Sequence, residues 1–360
     1  MNILRESVRL IPAEEDREWA RWLDPVPHDF YHTAAYHRFS EGAGEGTAFL
    51  AVCGAPERYL AWPYLLRPVE DNLHDVTSVY GYAGPLAHGC SADHPFLETA
   101  HRRIADLWRS QRVISVFTRF HPLLENHRWG RWAAEPGMVK PGGATVSLDL
   151  TLAEADHWQR YRRSLRHEVL RARRLGLRTE VDESWRYLPD FVRLYQQTMT
   201  RNRAAPLYFF PAGYFERLKA ALGGRIFLLI TKRQQAVAAA GILTEHRGIV
   251  QDHFCASEDE FLDLAPSKIL LDDARRWAQG RGNRVMHLGG GRGGARDSLY
   301  AFKTGFSPRR HLFYTGRWIL EPKLYSRLSA GPADPGADFF PAYREARHWA
   351  AAGVSGSQTT

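Results

Sequence analysis

Lysine is scarce in this chain. Of 48 lysines and arginines in 360 residues, only Lys140, Lys219, Lys232, Lys268, Lys303 and Lys323 are lysines. Arginine is the habitual cation here, so each compact ammonium draws attention. Lys303 stands in the block Asp297-Ser-Leu-Tyr-Ala-Phe-Lys-Thr-Gly-Phe306, after a glycine loop running from Gly289 to Gly294. Asp297 suits the N-cap of a short helix from Ser298 to Gly305, which places Lys303 on that helix. The glycine loop could cradle a phosphate on its backbone N–H groups, although glycines are common in any strand-to-helix turn. A second concentration of chemistry is basic. Between His157 and Arg178 lie Arg160, Arg162, Arg163, Arg166, Arg171, Arg173, Arg174 and Arg178, against Glu168 alone. That one segment carries nearly the whole formal charge of +8. It suits a polyanion such as nucleic acid, a pyrophosphate or a membrane surface; a solvated helix face is the plainer alternative.

Other chemistries find little support. Cys53, Cys90 and Cys255 are isolated, with neither a disulfide framework nor a zinc pattern. His28 and His32 are four apart, but Pro27 interrupts and no E-x-x-H partner follows, so no metal is expected. Neither a G-x-S-x-G elbow nor a cysteine–histidine pair marks a covalent nucleophile. The glycines do not follow the first strand of a dinucleotide-binding unit. The apolar run Ala236 to Leu243 is far shorter than the ~20 residues of a membrane span. With no secretory leader pattern at Met1 to Glu6, a cytoplasmic location is expected.

An apolar fraction of 44% and a charged fraction of 24% describe an ordinary globular chain, and its length fits two domains. The elements that must position these residues alternate. Strands are expected at Val8–Ile11, Ala48–Cys53, Tyr59–Val69, Val76–Tyr82 and Val113–Phe117, with helices at Asp16–Leu23, Thr33–Phe39 and Asp93–Gln111. Pro136 to Gly143 reads as a linker. The second half repeats the pattern. Strands at Val146–Leu150, Arg225–Thr231, Ala236–Glu245, Gly248–Cys255, Arg284–Leu288 and His311–Leu320 accompany the basic helix and helices at Leu188–Thr200, Tyr214–Leu222 and from Pro266. The fold class is therefore α/β with mixed sheets, as a duplicated module. Residues 1–142 form the first module, completed by about 315–345. Residues 143–314 form the second, and 331–360 a flexible tail rich in small residues.

Three segments together resemble the Fem family, whose enzymes take an aminoacyl group from aminoacyl-tRNA and join it to an amine, often on a peptidoglycan precursor. They are Leu288-Gly-Gly-Gly291 with the block from Asp297 to Phe306, the turn Tyr80-Gly-Tyr-Ala-Gly-Pro-Leu86, and the basic stretch Tyr161-Arg-Arg-Ser-Leu-Arg-His167. The resemblance spans roughly residues 10 to 325 and implies two tandem GNAT-like acyltransferase modules. No heptad pair for a coiled-coil arm is present, so an armless member is implied. It also implies that Lys303, behind Phe302, stabilises the oxyanion formed when an amine attacks an ester, an effect of ~2.7–4 kcal/mol for one donor. Arg38 after Tyr36, and Arg201 with its neighbour Arg203, match positions that grip an anionic acceptor. Phe254 stands where some relatives carry a tyrosine touching that acceptor, which puts the usual cell-wall acceptor in question.

On this reading aminoacyl-tRNA is the co-substrate and no further cofactor is needed. Arg163, Arg166, Arg173 and Arg174 would meet tRNA phosphates. The acceptor is a nucleotide-linked peptide or a small-molecule natural product. A monomer without a transmembrane segment is expected, with peripheral membrane contact open. Two rivals stand: an acyl-coenzyme A-dependent GNAT N-acyltransferase and a non-catalytic RNA-binding module. Against the first, the stretch Asp259 to Ser267 has no glycine and three carboxylates where a coenzyme pyrophosphate would sit.

Overall fold

A computed structural model describes residues 8–130 and 137–345. The chain opens with β1 (Val8–Pro12), α1 (Asp16–Leu23), α2 (Ala34–Gly42), β2 (Thr47–Ala55), β3 (Arg58–Glu70), β4 (Leu73–Thr77) and β5 (Leu86–His88). Then come α3 (Pro95–Ser110), β6 (Val113–Arg119) and β7 (Gly137–Asp149). Next follow α4 (Glu154–Arg160), α5 (Arg163–Arg174), β8 (Leu177–Val181), α6 (Leu188–Arg201), α7 (Ala212–Leu222), β9 (Ile226–Arg233) and β10 (Ala236–His246). The series closes with β11 (Ile249–Ser257), α8 (Pro266–Gly280), β12 (Val285–Gly290), α9 (Ser298–Lys303), β13 (Arg310–Ile319) and α10 (Pro322–Ser329).

These elements form two compact units, Met1–Gly142 with Phe313–Thr360, and Gly143–Leu312. In the first unit the strand order is β1-β2-β3-β4-β6-β13; in the second, read from its far edge, it is β8-β9-β10-β11-β12-β7. One parallel pair interrupts each otherwise antiparallel series, β4 with β6 and β11 with β12. Parallel neighbours need a crossover, and the amphipathic helices α3 and α8 supply it. The first unit packs α3 through Ile104 and Trp108 onto Trp62, Tyr64 and Trp318. The second packs α8 and α5 through Leu270, Ala274 and Leu165 onto Val146, Leu243, Val250 and Met286.

Four expectations change. The strand expected at Val76–Tyr82 is instead Leu73–Thr77, and 78–82 lie in the turn that follows it. Pro136 is outside the described residues, but 137–143 are strand, not linker. A Cβ on Gly142 would lie 2.1 Å from the Phe313 ring, and one on Gly143 2.5 Å from the Gly294 carbonyl oxygen, so these glycines mark close approach instead of a loop. The basic stretch is not one helix. Buried Tyr161 separates α4 from α5, and Arg178 belongs to β8. Within the tail, residues 331–345 are packed. Phe340 is buried beside Tyr325, and the Tyr343 hydroxyl and Arg344 guanidinium both reach Asp75. Residues 346–360 lie outside the described residues.

Candidate functional site

The parallel ladder between β11 and β12 covers only Ile249–Gln251 against Val285–His287. Beyond it both strands are bulged. Phe254 faces Ile242 while Asp252 faces Leu243, leaving His253 extra on β11. On β12 the register jumps from His287 to Gly289, leaving Leu288 extra. Bulges re-aim side chains and end pairing, and here they leave the last residues of both strands unbonded to each other.

Lys303 comes into this place from α9. Asp297 caps that helix, accepting from the Tyr300 N–H at 2.9 Å, and is itself held by Arg292 at 2.9 Å. Gly291 permits the turn, since a Cβ there would lie 2.0 Å from the Ala295 carbonyl oxygen. The Lys303 ammonium then donates to the Gly290 carbonyl at 3.0 Å, close enough to Gly289 that a Cβ there would sit 3.3 Å from Nζ. Burial pushes the Lys303 pKa down, with Asp252, Cys255 and Asp297 opposing. Burial pushes Asp252 up to about 6, with Lys303 opposing. The Cys255 thiol is likewise pushed up by burial, which keeps it neutral. Asp252 Oδ1 is buried with no hydrogen-bond partner. The arrangement is a half-enclosed ammonium and carboxylate at the frayed end of a strand pair. It can stabilise negative charge on one atom and accept a proton from another.

Phe302, on α9, lies edge-on to Phe306 at 5.5 Å and leans on the second unit's core. It shapes the helix that carries Lys303. Phe254 belongs to a separate aromatic group with Tyr195, Phe210, Tyr214 and Phe215 from α6, α7 and the turn between them. Arg201, at the end of α6, is ion-paired with Asp259 and donates to Thr198 Oγ1 at 3.2 Å. Arg203 follows at φ 50°, exposed, its guanidinium unpaired.

Of the four arginines expected at an RNA surface, Arg163, Arg166 and Arg174 make no hydrogen bond or ion pair through their side chains, and α5 has no acidic residue in its first turn. Arg173 is different. It is tied to Asp272 at 2.6 Å and Asp273 at 2.5 Å, so it braces α5 against α8. Asp272 also accepts from Tyr161 at 2.8 Å and from Arg275 at 3.2 Å, and both Asp272 and Arg275 are fully buried.

In the first unit, Tyr36 is wholly buried and its hydroxyl donates to the Tyr80 carbonyl at 2.9 Å, so it offers no surface to a solute. Arg38 is bound to Asp16 and to the Ala13 carbonyl, each at 2.7 Å. The Tyr80–Leu86 turn is architectural. A Cβ on Gly81 would strike the Tyr31 ring at 2.0 Å, and Asn126 holds the Ala83 and Pro85 carbonyls. A shallow cavity of about 380 Å³ is lined by Glu45, Ser78, Arg67 and Arg344, but both arginines are engaged by Asp75.

Sequence reasoning missed Asp252 and Cys255. The available signal was an aspartate inside a strand whose neighbours Val250 and Phe254 are apolar.

This geometry belongs to a known class. Residues 159–310 match the family described as an acetyltransferase (GNAT) domain. The strand order and crossover helix of that unit recur in the first, so the chain holds two GNAT-like modules. More particularly, the fold is that of FemX: the crystal structure of FemX superposes with a TM-score of 0.65 over 89% of this chain and 99% of that one, at 14% identity. A conserved protein of unknown function from Bacteroides thetaiotaomicron gives 0.54 at 8% identity, over 86% and 99%. The C-terminal domain of a protein described as a lysylphosphatidylglycerol synthetase from Agrobacterium fabrum gives 0.51 at 14% identity, over 85% and 92%. No curated relative matches the chain by sequence. Among the described residues the longest helix is α3 at 16 residues, and none is long and apolar enough to cross a membrane.

Proposed function

We propose that this chain is an aminoacyltransferase that moves an amino acid from aminoacyl-tRNA to an acceptor amine, making a peptide bond without an acyl-enzyme. The observation that carries this reading is the half-enclosed Lys303 ammonium at the frayed end of β11 and β12, on a fold shared with FemX. When an amine attacks the ester, negative charge develops on the carbonyl oxygen, and a fixed cation in a site poor in water stabilises it. Arg201 and Arg203 would hold an anionic group of the acceptor, a peptidoglycan precursor or a small natural product. Arg163, Arg166 and Arg174 would take tRNA phosphates. The reaction needs no cofactor beyond the charged tRNA.

The acetyltransferase family match favours a second donor, an acyl-coenzyme A. The turn that precedes α8 weighs against it. It carries Asp259, Glu260 and Asp263, with the six-residue turn Asp259–Leu264 acidic in its first residues. A pyrophosphate there meets the like charge of Glu260 and Asp263, Asp259 being paired with Arg201.

The test is transfer from a pool of radiolabelled aminoacyl-tRNAs to candidate acceptors, with ribonuclease-treated tRNA and acetyl-coenzyme A as parallel arms. Label should reach the acceptor only from intact tRNA. Lys303→Met should slow transfer by ~10²–10³-fold, the loss typical of one oxyanion donor, while tRNA affinity stays unchanged. Label transferred after ribonuclease treatment, or only from the coenzyme, would reject the RNA donor.

A further inference from the structure

We infer that Asp252 is the catalytic proton carrier of this site, taking the proton from the attacking amine and returning it to the departing oxygen of the donor. This deepens the aminoacyl-transfer reading and rests on it. A buried carboxylate oxygen without a hydrogen bond is exceptional, because removing it from water costs free energy that here only the charge of Lys303 opposes. Asp252 Oδ1 is such an atom, and it stands beside the ammonium assigned to the oxyanion. What it lacks is a donor, and the N–H of an incoming amine is one.

The neighbouring groups are otherwise engaged. The Lys303 ammonium donates to Gly290. Cys255 is held neutral. Asp297 caps α9 and pairs with Arg292. On β12 the titratable group is His287, which bonds Gln251 at 2.6 Å. On β10, Glu245 is held by Arg281 and Asn283, while Leu243 lies opposite Asp252. From α6, Arg193 and Arg201 are paired with Glu258 and Asp259; from α8, Asp272 and Arg275 are paired with each other and Lys268 with Glu168. His253, the extra residue of the bulge, has its ring 4.4 Å from Phe254. The bulge matters here. An unbroken strand would alternate, with Asp252 on the face of Phe254; the extra residue turns it to the side of Cys255 and Lys303.

The step balances. The amine nitrogen attacks the ester carbon, a C–N bond forms, and the carbonyl electron pair moves onto the oxygen beside Lys303. The nitrogen, now positive, gives one proton to Asp252. The oxyanion pair then re-forms the carbonyl as the C–O bond to the ribose breaks with its electron pair on the ribose oxygen, which receives that proton from Asp252. An amide and a free hydroxyl result. General acid–base help of this kind is typically worth ~10²–10⁴-fold. Burial raises the Asp252 pKa toward that of a group able both to accept and to return a proton near neutrality.

The experiment is single-turnover transfer with saturating aminoacyl-tRNA between pH 5 and 8, for the wild type, Asp252→Asn and Asp252→Ala. The wild-type rate should fall as pH drops through about 6. Asp252→Asn should be slower by ~10²-fold or more, without that acid limb, and with tRNA affinity and acceptor KM within a few-fold. Added formate should restore part of the rate to Asp252→Ala and none to Asp252→Asn. If the wild type transfers and Asp252→Asn keeps its rate and pH profile, the proton-carrier role is overturned while aminoacyl transfer stands. If the wild type moves no label from any aminoacyl-tRNA, the transfer reading fails and takes this role with it.

Discussion

A carboxylate and an ammonium enclosed together are each held away from their usual pKa, and this makes Asp252 costly to the folded state. Its folded pKa lies above the unfolded value of 3.8, at about 6. The stability contributed by the neutral form is complete below about pH 4 and is lost as pH rises through 6. Asp252→Asn, which stays neutral, should therefore melt a few degrees above the wild type at pH 8 and equal to it at pH 4. Differential scanning fluorimetry reads this directly, and equal melting temperatures at pH 8 would place the carboxylate in water. Active groups commonly cost stability in this way. Lys303 was legible in the sequence, because its motif and the rarity of lysine both marked it. Asp252 was not. The strand expected at Gly248–Cys255 is there, but the register slip that redirects Asp252 falls inside the β10–β11 hairpin, at a place on β11 that no glycine or proline marks.

At the scale of elements, α5 divides its arginines between two tasks. Arg171 donates to the Asp263 carbonyl and Arg173 is bound to the Asp272–Asp273 pair on the α8 side, while exposed Arg163 and Arg174 and half-buried Arg166 have no side-chain partner. Replacing those three with glutamine should weaken tRNA binding and flatten its dependence on log salt by about two, since each phosphate contact contributes roughly 0.7–0.9 to the slope. Filter binding between 50 and 300 mM salt measures it; an unchanged slope would leave α5 a solvated face. Arg173→Ala should behave oppositely, lowering the melting temperature with little change in slope, because it strips a partner from buried Asp272. The charge of this stretch was legible from composition, but its division was not, because the acidic partners lie ~100 residues away on α8. Helix and strand positions were mostly legible through periodicity. The strand at Gly137–Asp149 escaped it because proline and glycine ordinarily punctuate loops, and only the approach of Phe313 and Gly294 explains them here.

For the whole molecule, duplication was readable as a repeated order of strands and helices, and the structure repeats one parallel pair with one crossover helix in each unit. Both units bury histidines, and in the second the pKa of His157 is lowered chiefly by burial. The first holds His32, His37 and His101, each with its pKa lowered chiefly by burial, the latter two to about 4. A depressed histidine contributes stability that is complete above about pH 6.5 and lost as pH falls toward 4. The melting temperature should fall steeply across that window, and His101→Phe, which keeps an aromatic ring against Trp62, should flatten the fall. Parallel melting curves for wild type and variant would count against this account.

Residues 313–319 supply the strand that seals the β6 edge of the first unit, although they leave the ribosome after everything else that unit's sheet contains. Until they emerge, β6 presents an open hydrogen-bonding edge, and a nascent chain halted before residue 313 exposes it to other chains. The second unit carries all of its own strands by residue 290, so it can close first during translation. Synthesis therefore finishes the unit that carries Lys303 early and its companion last, which makes the early unit tolerant, and the late one intolerant, of premature termination.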